Sequence, residues 1–389
     1  MKKILIHHHE IAYSDSNGIW VRGYFGHWVS GLAKYFTEIG LLLHESPKIL
    51  PSQDTCISMQ NVVLQSLGPR RKSVNIIKRR INIINKCREM RNYDILLIRG
   101  MTPNQYTVFK YCNTPNKGFL LIQSLFPPNQ TLSFNMESVI EFLFWKLRKY
   151  QYRLISKHAL LLANSPTLCE EIKCFTGLNS QFVSTSIIDS KDIAKKHPKK
   201  KDNCNQINLL FVGRIVKDKG ILELIEAVKI LNKKNTKVFY LNVIGSFNDN
   251  NFKNLINDKI KAENLTDRIK FYGYISYGEE LFNIYHRGDI LVLPSYHEGF
   301  PQIIWEAFVS KIPVITTDVG GISGFLKNDK DALLILPQDV KQIVDAVRKL
   351  IADRALKSLL VENGFNMVME HTLEKSAYRL SQIIRKYAK

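Results

Sequence analysis

No Cys-x-x-Cys pair occurs in this 389-residue sequence, and none of its six cysteines (Cys56, Cys87, Cys112, Cys169, Cys174 and Cys204) has a closely spaced histidine partner. Scattered thiols exclude a zinc-finger arrangement and read as reduced, cytosolic side chains. A spanning segment is missing as well, because no uninterrupted apolar run approaches the ~20 residues that a bilayer requires. The opening MKKILIHHHEIAYS carries too few apolar residues for a secretory core. The expectation is a cytoplasmic chain, either free or bound peripherally. No Gly-Lys-Ser/Thr closes a glycine-rich turn, which excludes a Walker loop, and no internal repeat or low-complexity tract is present.

What is present is length and positive charge. A chain of 389 residues with 45% hydrophobic residues exceeds one ordinary core and predicts two domains. The net charge of +20 is uneven: residues 1–203 hold 29 Lys/Arg against 14 Asp/Glu, the rest 26 against 21. The first half must therefore face or tolerate something anionic.

The second half alternates short β-branched runs with helical ones: INLLFVG, GILELIEAVKILNKK, VFYLNVIG, IKFYGYI, EELFNIYHRG, DILVLPSY, IIWEAFVS and IPVITTDV. Continuously apolar strands between helices of 8–15 residues predict a parallel sheet covered on both faces, a doubly wound α/β domain. The first half repeats this less cleanly, with strands at KKILIHH, DILLIRG, GFLLIQS and ALLLANS. Its helices are expected through GYFGHWVSGLAKYFTEIG and MESVIEFLFWKLRKYQYRLISKH, and from Pro166. The charged, aperiodic stretch KDIAKKHPKKKDNCNQ predicts the boundary. The expected organisation is 1–190, a linker at 191–206, 207–370, and a final helix at 371–389 packing back on the first domain.

In open parallel sheets, ligands bind beyond the carboxyl ends of the strands. After DILVLPSY comes YHEGFPQIIWEAF, in which Glu298 precedes Gly299, Phe300 and Pro301, and Glu306 follows about five residues into a helix. If the eight-residue step from one glutamate to the other were helical, their side chains would start roughly 12 Å and about 80° apart. The carboxylate pairs of glycoside hydrolases lie ~5–9.5 Å apart, so two separate contacts with a long polar ligand are expected instead of one acid/base couple. A second loop follows INLLFVG: Gly213 lets the chain turn, Arg214 offers a fork of donors to phosphate oxygens, and Lys219 adds a mobile charge. A structural turn with solvated charges is the alternative for this loop.

In this order and spacing the two loops resemble the retaining glycosyltransferases of family 4, with FVGRIVKDKG, LVLPSYHEGFPQIIWEAF, IPVITTDVGG and DALLILPQD matching across about residues 207–340. ALLLANSPTLCEEI looks like that family's last strand and helix of the first domain. The resemblance implies a GT-B fold, two doubly wound Rossmann-like domains facing across a cleft, the first for the acceptor and the second for a nucleotide-sugar. By the same resemblance Arg214, Lys219 and Glu298 are catalytic. Gly213, Arg214 and Lys219 would bind the donor diphosphate, Glu298 with Gly299, Phe300 and Pro301 the transferred sugar, and Glu306 the ribose. Backbone near Tyr274 and Ile275 would meet the base, His297 the phosphates, and the loop at Gly320 and Gly321 would approach the site. The donor is expected to be a UDP-sugar, with no cofactor and no metal required.

The resemblance departs at two places. Many relatives carry a histidine where this chain has Gln123, which cannot take up a proton. Adjacent glycines after the first strand are replaced by single ones, so Asn17-Gly18 or Arg22-Gly23 would have to offer amides to the diphosphate or the acceptor, the alternative being a plain turn and helix start. His7, His8 and His9 invite a metal reading, but neighbours on a strand point to alternate faces, so no metal site is expected.

PRRKSVNIIKRRINIINKCREMRN holds nine Lys/Arg against one Glu, and FLFWKLRKYQYR sets aromatics among basic residues. Such segments suit an anionic membrane surface, or are solvated helix faces. With no recognition helix, RNP or zinc module, nucleic acid is not expected as a partner. The expected partners are a nucleotide-sugar, a glycan or polyprenyl/lipid-linked acceptor of a bacterial surface polysaccharide, and the inner face of the cytoplasmic membrane. A GT-B nucleotide-sugar epimerase and a basic nucleic-acid-binding protein are the alternatives.

Overall fold

The computed structural model describes residues 2–69, 76–122, 125, 136–194, 205–233 and 237–388. Two compact units emerge: Met1–Ile187 with Leu373–Lys389, and Ile188–Thr372.

The first unit runs β1 (Lys3–Asp15), β2 (Gly18–Val21), α1 (Gly23–Ala33), β3 (Glu38–Glu45), β4 (Thr55–Ile57), β5 (Val62–Pro69), α2 (Ile76–Glu89) and β6 (Ile95–Arg99). It continues through α3 (Gln105–Tyr111), β7 (Asn116–Leu121), α4 (Met136–Ser156), β8 (Leu160–Ala163), α5 (Pro166–Thr176) and β9 (Gln181–Phe182). Its parallel strands lie in the order β5-β3-β1-β6-β7-β8-β9, with β2 and β4 added antiparallel at the far end of β1. The direction of winding reverses at β1, which lies between β3 and β6. The helix expected through Gly40 stops at Ala33, and Glu38–Glu45 is a strand buried between β1 and β5. Ser165 caps α5 by accepting from the Leu168 amide at 3.2 Å, with Pro166 at the first helical position and left-handed Gly177 ending the helix.

The second unit begins at Ile188, which is buried in its core, and α6 (Ser190–Ala194) follows. Asp192 of α6 accepts a 2.6 Å hydrogen bond from the Tyr277 hydroxyl, so the start of the expected linker is built into this unit. Residues 195–204 of that linker lie outside the described residues. Next come β10 (Gln206–Val212), α7 (Ile221–Lys233), β11 (Val238–Ile244), α8 (Asn250–Ala262), β12 (Ile269–Gly273), α9 (Glu279–Arg287) and β13 (Ile290–Leu293). The unit closes with α10 (Gln302–Val309), β14 (Val314–Thr317), β15 (Leu333–Ile335), α11 (Val340–Ala352) and α12 (Arg354–Glu370). The six strands are parallel in the order β12-β11-β10-β13-β14-β15, the doubly wound arrangement. Successive residues of β10 explain its apolar run: Leu209 and Phe211 enter one core, Leu210 and Val212 the other.

The last helix, α13 (Leu373–Tyr387), belongs to the first unit. Leu373 lies where a side chain at Gly31 of α1 would project, and Arg385 donates to the Tyr35 carbonyl at 3.0 Å. No described helix is long and apolar enough to cross a membrane.

Candidate functional site

The two loops singled out in the second half meet at the carboxyl ends of β10 and β13. Beyond β10 the chain opens at Gly213 (φ 145°), exposes Arg214, and buries Ile215 before a single 3-10 turn, Lys217–Lys219. Gly220 ends that turn at φ 69°, and a Cβ there would stand 2.1 Å from the Pro294 carbonyl oxygen. Only glycine lets the β10 loop lie this close to the β13 loop. The Tyr296 amide then donates to the Asp218 carbonyl at 2.8 Å, and the Tyr296 hydroxyl to Glu223 of α7 at 2.6 Å.

These ties place Lys219 Nζ in an ion pair with Glu298 Oε1, with the side chains 17% and 10% exposed. The Glu298 carbonyl in turn accepts from the Gly321 amide at 3.2 Å, drawing in the loop after β14. Three loops thus converge on Glu298. His297, beside it, is held below its ordinary pKa mainly by burial, which Asp218 and Glu298 only partly offset.

Pro301 is the extended residue capping α10 (ψ 136°), and the helix starts at Gln302, one residue later than proline's preference suggests. Residues 298–301 are therefore not helical, and the helical separation expected for the two glutamates does not apply. Phe300 packs its ring 4.8 Å from Trp305 and 4.5 Å from Phe325, which seats the loop on the core. Glu306 is wholly buried, its Oε2 accepting from the Tyr285 hydroxyl of α9 at 2.8 Å. A ribose contact by Glu306 would have to share that oxygen or use the other. After β12, Tyr274 is 47% exposed and Ile275 packs against the core, so this rim offers an aromatic face beside backbone.

The first-half candidates divide. Gln123 lies outside the described residues. Asn17 and Gly18 form the tip of the β1–β2 hairpin, and their amides donate to Asp15 Oδ1 at 2.9 and 3.2 Å. Both amides are thus engaged by an acidic side chain within the turn. Arg22 stays exposed as the N-cap of α1, with its Nε 3.7 Å from Glu10, while Gly23 is buried against Asp54 and Thr55.

Strand alternation, used above against a metal, fails over the histidines. Between His7 and Ile11, β1 advances four residues while β3 advances two, and this bulge brings the rings of His8 and His9 to 4.1 Å. Ligand atoms of His8, His9 and Glu10 all lie within 4.8 Å of one another, so the cluster is compact enough to hold an ion. Arg99 opposes this, because its Nη1 donates to His8 Nε2 at 2.6 Å and sets a cation against the cluster. His7 is committed elsewhere, to the Leu42 carbonyl (2.8 Å) and Thr102 (3.0 Å), and burial pushes its pKa down to about 4.

Tyr296, Glu223, Tyr285 and Arg99 were not flagged by sequence reasoning. Each acts through a partner 21 or more residues away, and no local pattern encodes the pairing.

Residues 192–367 match the model of the family "Glycosyl transferases group 1". The chain is 32% identical over 192 residues to the capsular polysaccharide biosynthesis glycosyltransferase CapM of Staphylococcus aureus, covering 47% of this chain and 46% of that one. It therefore spans about half the length of the curated relative it matches. Among solved structures, sucrose-phosphate synthase from Thermosynechococcus elongatus superposes with a TM-score of 0.73 at 17% identity, covering 99% of each chain. Anabaena HepE in complex with UDP-glucose gives 0.72 at 15% identity, covering 99% of this chain and 100% of that one. With two Rossmann-like units of parallel sheet, the fold is GT-B.

Proposed function

We propose, from the match of residues 192–367 to the group 1 glycosyl transferase model, that this chain is a retaining, metal-independent glycosyltransferase of bacterial surface polysaccharide synthesis. Its donor would be a UDP-sugar and its acceptor a glycan or a polyprenyl/lipid-linked saccharide. The observation that carries the reading is the Lys219–Glu298 pair at the carboxyl ends of β10 and β13. Supporting it are the capsular relative's named role and the UDP-glucose complex of a protein with the same fold.

In this scheme, an arriving diphosphate draws Lys219 away from Glu298 and adds Arg214 from the exposed loop. The freed Glu298 carboxylate accepts hydrogen bonds from the sugar. The bond between the anomeric carbon and the diphosphate oxygen breaks while the acceptor oxygen bonds to that carbon on the same face. The acceptor's proton passes to the departing phosphate, and the two cations neutralise the charge that develops there. Glu306 and the rim at Tyr274 and Ile275 would take ribose and base. The test is a thermal-shift screen of nucleotides followed by product analysis with lipid-linked acceptors. UDP stabilisation with a glycosylated product is expected. Consumption of a UDP-sugar without such a product favours an epimerase, and no response to any nucleotide sinks the reading.

For location, we propose the inner face of the cytoplasmic membrane. On α4, Leu143 (58%), Leu147 (49%) and Tyr150 (61%) form an exposed apolar stripe, with Phe144 (54%) beside it and Lys146 and Arg153 along its edge. The basic helix α2 is less suited, because Ile83 and Cys87 turn into the core. Each basic residue at an anionic leaflet contributes ~1 kcal/mol before screening. Flotation should show binding to vesicles containing phosphatidylglycerol at low salt, weakened at moderate salt and lost on replacing both Phe144 and Leu147 with Glu. No association at either salt would rule the location out.

A further inference from the structure

Arg99 ends β6, next to β1, at the point where the winding of the first unit reverses. In a parallel sheet this is where ligands are received. The guanidinium carbon lies 4.9 Å from the centre of the Trp28 ring and 5.7 Å from that of Phe25, while Nη1 is held by His8. Among the described residues no carboxylate forms an ion pair with Arg99, and its Nε has no hydrogen-bond partner. The acid that acts on it is Glu10, which also has Arg22 at 3.7 Å. Two arginines therefore share one carboxylate, and the desolvated one has no described carboxylate in ion-pair contact. A buried charge persists when it is paired, so a missing partner points to one that arrives from outside.

We propose that the carboxyl ends of β1 and β6 form an oxyanion subsite, with Arg99 as its charged anchor and His8 holding the fork in place, for a phosphate or carboxylate group on the acceptor. The word acceptor rests on the glycosyltransferase reading; the oxyanion does not. The aromatic rings of Trp28 and Phe25 pack on the guanidinium and its Nε is buried among them, so an incoming oxyanion meets the part of this half-buried side chain that stays accessible. Neutral His8 adds no competing charge, since burial, then Arg99, holds it well below its ordinary pKa. The two-residue bulge is what brings His8 and His9 to this edge, which gives the departure from strand alternation a purpose.

The test uses the full chain saturated with UDP, so that the diphosphate loop in the second unit is already filled. Inorganic phosphate, and separately acetate, are titrated while the histidine ring signals are followed by NMR, with His8 assigned by His8→Gln and chloride as the ionic-strength control. Saturable shifts of the His8 and His9 signals are expected, weakened at least tenfold by Arg99→Lys and abolished by Arg99→Met. Should Arg99→Met fail to fold, Arg99→Lys and the exposed Arg22→Met, expected to weaken binding less, carry the comparison. Tighter phosphate assigns a phosphoryl group and tighter acetate a uronate-like carboxylate; either supports the subsite. No saturable shift, a shift equal in Arg99→Lys, or one reproduced by chloride overturns it. A chain that binds phosphate beside His8 but never UDP would sink the glycosyltransferase reading and leave the subsite standing.

Discussion

Replacing Lys219 with alanine is expected to lower sugar transfer by roughly 10²–10³-fold, the scale of losing one pre-aimed electrostatic contact to developing charge. The residue sits on a 3-10 turn fixed at both ends, by left-handed Gly220 and by the Tyr296–Asp218 backbone bond, so its ammonium is directed and not loosely tethered. Its loss also leaves Glu298 in a largely buried position without its cation. A modest drop in melting temperature should accompany the lost activity, and the two effects separate in a double variant. Adding Glu298→Gln to Lys219→Ala removes the unpaired charge, so stability should recover while turnover does not. The losses should be non-additive, because both residues serve the same contact. Arg214→Ala should reduce turnover at little cost to folding, since Arg214 is exposed. Wild-type rates from Lys219→Ala would remove the site assignment.

The second unit was readable because its strands are buried on both faces, and residues such as Leu209 to Val212 therefore appear as unbroken apolar runs. Its two site loops were readable because each is a short contiguous motif leaving the end of such a strand. In the first unit, Glu38–Glu45 was absorbed into the preceding helical pattern: four residues separate Ala33 from Glu38, with no glycine or proline to mark the break. Helix α8 was missed because its exposed polar residues dilute Ile256 and Ile260, which alone among its side chains are fully buried. The histidine run misled for a geometric reason, since a bulge cancels the period of two on which the inference relied. Glu306 stood out in the sequence as a candidate, but its burial and its bond to Tyr285 depend on a helix that ends 19 residues before it. Pairings across such distances belong to the fold and leave no trace in spacing.

The loop after β14 offers the second large effect, through Gly320→Ala. Gly320 adopts φ 52°, and a Cβ there would lie 2.0 Å from the Glu298 carbonyl oxygen. That oxygen is the acceptor for the Gly321 amide, so the methyl group would break the contact that joins this loop to the carboxylate loop. Neither side yields easily, because both contacting groups are backbone. Overpacking of this kind costs ~1–3 kcal/mol, and a left-handed alanine adds roughly 1 kcal/mol. Gly177 supplies the control: it is also left-handed, at φ 75°, but a Cβ there meets nothing within 4 Å. Gly177→Ala should therefore show the backbone term alone, a small loss of stability with UDP affinity and transfer unchanged. Gly320→Ala should lose more stability and, with Glu298 displaced, at least about tenfold in transfer, where ~1.4 kcal/mol at the transition state is already tenfold. If the two variants behave alike in both melting and transfer, the close approach at Glu298 has no part in shaping the site, and Lys219 would have to hold that carboxylate unaided.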